Sequence, residues 1–375
     1  MTLRDRIESE IRERGPIPFS HYMEMCLYEP GFGYYARSKE QFGKAGDFYT
    51  SSDVHAVFGR LMARQFDEMW RVLGSPERIE IIELGPGRGL FARDVLEWSR
   101  QKFPNFFRAM HYALVETSAV LREKLETTLG EYIASGKASV KGDVASYVSA
   151  ESVILFANEF FDALPVEVVS NRGAVRVGCE NGRFVEGFAP ASAAEIEYLD
   201  RYSVHPEEGE RVDGGLEALR WMPCIAAAVP RGFAVLIDYG YTREELLAGR
   251  HRGGTIMCYR QHSASDDPYA APGEQDITAH VNFTALRAAG EQAGLSSLGL
   301  VTQAQFLIGI GEEMQFSDAF EDALLPQERA KRALQLKHLV TPAGMGETFQ
   351  VLVMARGVKK EEAVRLSGLK FVSRY

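Results

Sequence analysis

The sequence predicts an α/β protein with a mostly parallel, doubly wound sheet and helices on both faces. Three observations predict it. Residues 79–84, Ile-Glu-Ile-Ile-Glu-Leu, form a short apolar run that passes directly into a glycine-spaced turn at Gly85, Gly87 and Gly89. A helical stretch from Leu90 to residue 102 follows, so strand, tight turn and helix appear in that order. The alternation then repeats, with strand candidates at 111–116, 138–141, 152–157 and 233–238 and a helix over 117–130. Strands alternating with helices build a parallel sheet.

The remaining elements follow from periodicity and breakers. Leu3, Ile7 and Ile11 recur at helical spacing and predict an amphipathic helix over 3–14. Pro16 and Pro18 break it, Ser20 is placed to cap the next helix, and helical spacing resumes through Tyr22, Met23, Cys26 and Leu27. Tyr28 to Tyr35 is aromatic and turn-rich, and a loop from Gly43 to Asp53 precedes a helix running through Trp70. The run Val153-Ile-Leu-Phe156 suits a strand covered on both faces. Between the fourth and fifth strands, residues 166–230 exceed one crossover helix. Val166–Val169 and Ala174–Val177 flank Asn171-Arg-Gly173 as a hairpin, and 193–201 and 215–228 read as helices. Residues 240–280 are rich in Gly, Ser, Asp and Pro. Strands near 297–302 and 349–355, separated by helices near 315–323 and 326–338, complete seven. The expected organisation is an N-terminal helical cap segment (1–75), a core (76–165 and 231–358), an inserted subdomain (166–230) and an inserted loop region (240–280).

Composition narrows the function. The 375 residues are 46% hydrophobic and carry a net charge of −10, which supports a sizeable core and offers no basic nucleic-acid footprint. The four cysteines form no C-x-x-C pair, and the eight histidines form no H-x-x-x-H or H-E-x-x-H pattern, so reduced thiols and no metal site are expected. Acids from residue 5 onward argue against a secretory or mitochondrial leader, and no uncharged run reaches the roughly 18 residues of a membrane helix. A cytoplasmic protein without membrane insertion is expected. No G-x-S-x-G elbow is present.

The chemistry concentrates where strands end. Glycines in the 85–89 turn let backbone N–H groups approach a ligand where a Cβ would collide. In the dinucleotide fingerprint G-x-G-x-x-G the third glycine would fall at Leu90, which disfavours a nicotinamide enzyme. The spacing here is E-x-G-x-G-x-G, from Glu83 through Gly89, and it resembles the first motif of S-adenosylmethionine-dependent methyltransferases. Glu116, ending the second strand, is placed to accept both ribose hydroxyls, a feature that dinucleotide sites share. Asp143, after the third strand, can accept an adenine amino group or cap a helix. Glu83 can orient the turn, reach a ligand ammonium through water, or simply hydrogen-bond the loop. Asp47, Thr50 and Ser51, in Gly46-Asp-Phe-Tyr-Thr-Ser-Ser-Asp53, can reach the amino-acid end of a ligand or serve a plain capping loop. After the fourth strand, Asn158, Glu159 and Asp162 are flanked by Phe160 and Phe161. With Asp162 one helical turn on, the two carboxylates can hold a cation, orient a nitrogen and take up its proton. The competing reading is capping by Asn158 and core phenylalanines. Asp238 ends the fifth strand and is read as facing the same cleft.

Several segments together resemble the MidA-type family of class I methyltransferases, whose mitochondrial member is a protein arginine methyltransferase acting in assembly of respiratory complex I. They are Phe19–Tyr35, the Gly46 loop, Glu83–Gly89, Asn158–Pro165, Asp238-Tyr-Gly240, Gly254–His262, Gln275–Phe283 and Thr341–Phe349, in order along nearly the whole chain. In that family position 257 is often basic and position 282 acidic, whereas this chain has Met257 and Asn282. The resemblance implies a Rossmann-like class I methyltransferase fold, with a seven-stranded mostly parallel sheet, an N-terminal helical extension and insertions after strands four and five. It implies S-adenosyl-L-methionine as cofactor, held by Gly85, Gly87, Glu116 and Asp143, with Asn158 to Asp162 facing the acceptor; Asp47, Thr50, Glu83, Gly89 and Asn158 complete the expected cofactor-binding set. The expected reaction is transfer of the sulfonium methyl to a guanidinium nitrogen, with Glu159 and Asp162 fixing the planar group in a fork. The N-terminal segment and the insertions are expected to roof the cleft and select a protein substrate. A small-molecule O- or N-methyltransferase and a non-catalytic assembly factor are the alternatives.

Overall fold

The computed structural model describes residues 2–37, 56–144, 150–260, 263–342 and 344–372. They divide into two compact units: the described residues of Met1–Tyr49, Phe161–Met222 and Gly240–Ala289, and those of Thr50–Phe160, Pro223–Tyr239 and Gly290–Tyr375.

The second unit contains the predicted α/β layer. Its strands are β1 (Ile79–Leu84), β2 (Met110–Val115), β3 (Ala138–Lys141), β4 (Val153–Asn158), β5 (Gly232–Tyr241), β6 (Ser296–Thr302) and β7 (Phe349–Arg356). They lie in the order β6-β7-β5-β4-β1-β2-β3. The pairings among β3, β2, β1, β4 and β5 are all parallel, and β7 runs antiparallel to both β5 and β6, so the sheet is mixed. All six residues of β1 are buried, as expected for a strand covered on both faces. The helix Leu90–Lys102 buries Phe91, Val95, Leu96 and Trp98, and Phe91 stacks on Phe156 of β4 with centroids 4.5 Å apart. The helix Ala56–Val72 adds Phe58, Leu61, Met62 and Phe66 to the same cluster.

The last third of this unit departs from the expectation. A helix over Gln303–Glu312 was not foreseen, and the one expected at 315–323 shrinks to Ser317–Phe320. Thr302 and Gln305 close a capping box at the start of the longer helix. Its glycines obscured the pattern, yet Gly309 is there for packing, since a Cβ would meet the Ser367 carbonyl oxygen at 2.3 Å.

The first unit contains two antiparallel sheets. The hairpin expected around residues 171–173 joins Glu167–Ser170 to Gly173–Glu180. Strands Ile17–Pro18, Arg183–Ala189 and Arg211–Gly214 extend it to five. A second sheet pairs Met257–Arg260 with Ser263–Ser265 and Asp276–Thr278. The helices Leu3–Arg14 and Phe19–Tyr28 bury Ile7, Tyr22, Met23 and Leu27 against Val175, Val177 and Ile277. Ser20 lies inside the second of these helices, where its hydroxyl donates to Glu167, so it does not act as the cap.

Candidate active site

The register brings four chain segments out of the sheet at one edge. Leu84 pairs with Val115 and Ala157, Val115 with Lys141, and Asn158 with Ile237. Gly85, Glu116, Gly142-Asp143 and Glu159 are therefore next to one another in strand order. Backbone hydrogen bonds fix the exits: Gly85 N–H to Val115 at 3.1 Å, Glu116 N–H to Lys141 at 2.9 Å and Glu159 N–H to Ile237 at 3.0 Å. Ligands of open α/β sheets bind at this edge.

The turn after β1 uses left-handed backbone at all three glycines, with φ of 61° at Gly85, 53° at Gly87 and 75° at Gly89. A Cβ at Gly85 would stand 3.1 Å from the Phe160 ring, and one at Gly89 would stand 2.7 Å from Leu125. Gly89 is the N-cap of the helix Leu90–Lys102 and has no side chain to accept hydrogen bonds from its first N–H groups. This is a glycine turn with left-handed backbone and no room for a side chain at Gly85 or Gly89, and it fits the adenosyl donor that the motif implies.

Glu116 and Glu83 are both buried but differ in surroundings. The Glu116 carboxylate accepts the Ser118 N–H at 2.8 Å, and Arg122 donates to the Glu116 carbonyl at 2.9 Å. Burial pushes its acid up to about 7, with the Ser118 N–H and Arg122 pulling the other way. Glu83 lies within β1, where it accepts the Tyr112 hydroxyl at 2.9 Å from β2. Burial pushes it up to about 8, against the Tyr112 hydrogen bond. Asp143 is exposed just beyond β3.

The segment after β4 is not helical. Glu159 has a left-handed φ of 51°, its N–H is held by β5, and Pro165 follows, so residues 159–165 form bends and turns. Asn158 thus caps no helix; its side-chain amide donates to the Glu159 carboxylate at 3.0 Å. Asp162 does not share a helix face with either residue and belongs to the other unit. Asp238 is also reassigned: β5 continues to Tyr241, so Asp238 sits inside the strand, buried, with a carboxylate oxygen on the Tyr239 N–H at 3.0 Å. Asp47, Thr50 and Ser51 lie outside the described residues, as does His262. Among the described residues no group of three His, Cys, Asp or Glu side chains could hold a metal, and no helix is long and apolar enough to cross a membrane.

In the first unit, Asp162 is buried and its carbonyl accepts the Ala279 N–H at 3.0 Å. Two neighbours escaped sequence reasoning. Asp276, buried, accepts the Tyr35 hydroxyl at 3.0 Å on each carboxylate oxygen. The Tyr35 hydroxyl is pushed well above the usual tyrosine range, by burial first and then by Asp276, Tyr28 and Asp162. The only signal for these residues was their place within the Tyr28–Tyr35 and Gln275–Phe283 segments. Asn282 has a local explanation: it caps the helix Phe283–Gln292 by accepting the Ala285 N–H at 3.1 Å, and its amide donates to the Tyr202 carbonyl at 2.9 Å.

A glycine cradle, an acid at the neighbouring strand end and a mixed sheet of this order define a Rossmann-like methyltransferase. Residues 61–301 match the family described as "putative S-adenosyl-L-methionine-dependent methyltransferase", and the chain belongs to that family. It uses S-adenosylmethionine as its methyl donor. Over 95% of its length it is 30% identical to the Drosophila melanogaster protein named "Protein arginine methyltransferase NDUFAF7 homolog, mitochondrial", covering 85% of that protein. The Homo sapiens protein of the corresponding name is 28% identical, over 92% of this chain and 81% of its own. A Burkholderia thailandensis crystal structure bound to S-adenosyl-homocysteine superposes with a TM-score of 0.86 at 30% identity, covering 99% of this chain and 95% of that one.

Proposed function

We propose that this chain is a protein-arginine N-methyltransferase. The observation that carries the reading is the likeness, across nearly the whole chain, to relatives named for that activity. The glycine turn and Glu116 support the donor half of it. Bound S-adenosylmethionine supplies a methyl group already activated on a sulfonium. The chain's own residues have to align and receive. Backbone N–H groups of the Gly85–Gly89 turn would hold the amino-acid end, with Asp47 and Thr50 contributing. Glu116 would accept the ribose hydroxyls and Asp143 the adenine amino group. Glu83, tied to Tyr112, keeps the β1 exit in place. Asn158 and Glu159 would serve the acceptor, with the Glu159 carboxylate accepting guanidinium N–H donors and taking the proton released on transfer, and Asp162 is proposed in its own right as an acceptor-binding carboxylate.

In this reading residues 76–165 and 231–358 form a class I scaffold with a seven-stranded, mostly parallel sheet. The N-terminal residues 1–75 and the insertions 166–230 and 240–280 select the acceptor. The test is mass spectrometry for methylarginine in cells with and without the gene, looking first at the respiratory complex I subunit that the family resemblance points to. Loss of specific methylarginine sites in the deletion strain is the expected result. Unchanged methylarginine with a lost methyl mark on a metabolite would replace this reading by a small-molecule methyltransferase.

A further inference from the structure

The turn that carries Asp162 is not held by its own short-range hydrogen bonds alone. Two tyrosines from the N-terminal segment fasten it. Tyr28, the last residue of the helix Phe19–Tyr28, donates its hydroxyl to the Ala163 carbonyl at 2.8 Å, one residue from Asp162. The Tyr28 ring stacks on the Tyr35 ring, with centroids 5.7 Å apart and planes 24° apart. Tyr35 in turn reaches Asp276 with its hydroxyl, 3.0 Å from both carboxylate oxygens. Asp276 is set in a strand opposite Tyr259, and the Asp162 carboxylate acts electrostatically on both Tyr35 and Tyr259. Ala279, just past the Asp276 strand, closes the loop by donating to the Asp162 carbonyl at 3.0 Å. Asp162 is thereby held on two sides, through Tyr28 at the residue after it and through Ala279 at its own backbone.

We propose that Tyr35 is a positioning residue for the acceptor: its hydroxyl fixes Asp276, and its ring fixes Tyr28 and hence the turn bearing Asp162. The proposal rests on the reading of Asp162 as an acceptor-binding carboxylate. A stacked, hydrogen-bonded tyrosine is suited to this work because it is rigid, with two side-chain torsions, and its hydroxyl orients a carboxylate without neutralising it.

The hydroxyl can be removed while the ring stack is kept. Tyr35→Phe is compared with the wild-type full-length chain in two measurements. Calorimetry gives the dissociation constant for S-adenosyl-homocysteine. Initial rates of tritium transfer from labelled S-adenosylmethionine, into lysate protein of cells lacking the gene, give the half-saturating acceptor concentration. Tyr35→Phe is expected to raise half-saturation at least tenfold while leaving the donor constant within twofold. Tyr28→Phe is expected to act in the same direction, about threefold. Hydrolysis of the labelled protein tests the arginine assignment separately: label on another residue in the wild type removes that assignment, and the half-saturation ratio still reports on Tyr35. Equal half-saturation for Tyr35→Phe and wild type overturns the proposal. So does a parallel loss of donor affinity and melting temperature, which marks a merely structural tyrosine.

Discussion

Glu83 and Glu116 are buried glutamates on adjacent parallel strands, and they live in opposite surroundings. Glu83 lies in the body of β1 with the Tyr112 hydroxyl as its hydrogen-bond donor. Glu116 stands one residue beyond β2, with a backbone N–H from Ser118 on its carboxylate and Arg122 at its carbonyl. Both are raised by burial, Glu83 to about 8 and Glu116 to about 7. The difference lies in what opposes burial. A single tyrosine hydroxyl favours the carboxylate less than backbone N–H groups together with a guanidinium do. The strand body thus holds an acid whose burial is opposed by a hydroxyl alone, and the strand end holds one whose burial is opposed by backbone N–H groups and a cation.

Changing the cradle has the largest expected effect. Gly85→Val forces a β-branched residue into a left-handed conformation, about 1–3 kcal/mol of strain, and presses it on Phe160. The S-adenosyl-homocysteine dissociation constant should rise at least ~100-fold by calorimetry. Next, Glu116→Gln should weaken the same constant about 10- to 30-fold, about 1.4–2 kcal/mol, the lower part of the scale of a lost charged hydrogen bond. Glu83→Gln should change it less than about threefold. A loss for Glu83→Gln equal to that for Glu116→Gln would erase the contrast between body and end.

The third effect is on pH dependence. Both acids have folded values above the ordinary glutamate value of 4.5, so the folded protein holds protons that the unfolded chain releases. Their stabilising contribution is complete below about pH 4.5 and is lost as pH rises through about 7 and then 8. Calorimetric melting should show a fall of several degrees between about pH 5 and pH 9. Glu83→Gln should flatten the upper part of that fall and leave the lower part to Glu116. The smallest effects are local. Tyr112→Phe should cost about 1 kcal/mol in denaturant unfolding and move the upper step to higher pH, because its hydroxyl lowers the Glu83 value. Asn282→Asp keeps the acceptor on the helix cap but replaces the amide donated to the buried Tyr202 carbonyl by an oxygen, so roughly 1–3 kcal/mol of stability should go, with acceptor half-saturation unchanged.

The parts of the molecule that were legible share one property, that their signals are local. The turn at 85–89, the helix Leu90–Lys102 and the hairpin at 171–173 are each specified within a few residues. The misreadings also have local causes. Residues 158–165 carry helix-compatible residues, but the N–H of Glu159 is taken by β5 and its backbone turns left-handed. The helix Phe283–Gln292 was overlooked because alanines and a glycine dilute its apolar stripe, although Asn282 was available as its cap. Met257 sits in a strand between Thr278 and its own neighbours, and nothing in its surroundings explains the departure from a basic residue there.

The sequence by itself determined the α/β repeat, the glycine cradle and the acid at the end of β2, because strand, turn and helix signals act over a few residues and parallel strands end in a common edge. Only the tertiary structure decided that Asp238 is a strand-interior residue, that Asp162 leaves its expected helix, and that Tyr35 meets Asp276. Those outcomes depend on hydrogen bonds between segments far apart in the chain. No local propensity encodes which distant carbonyl or carboxylate will satisfy a given donor once the sheets have closed.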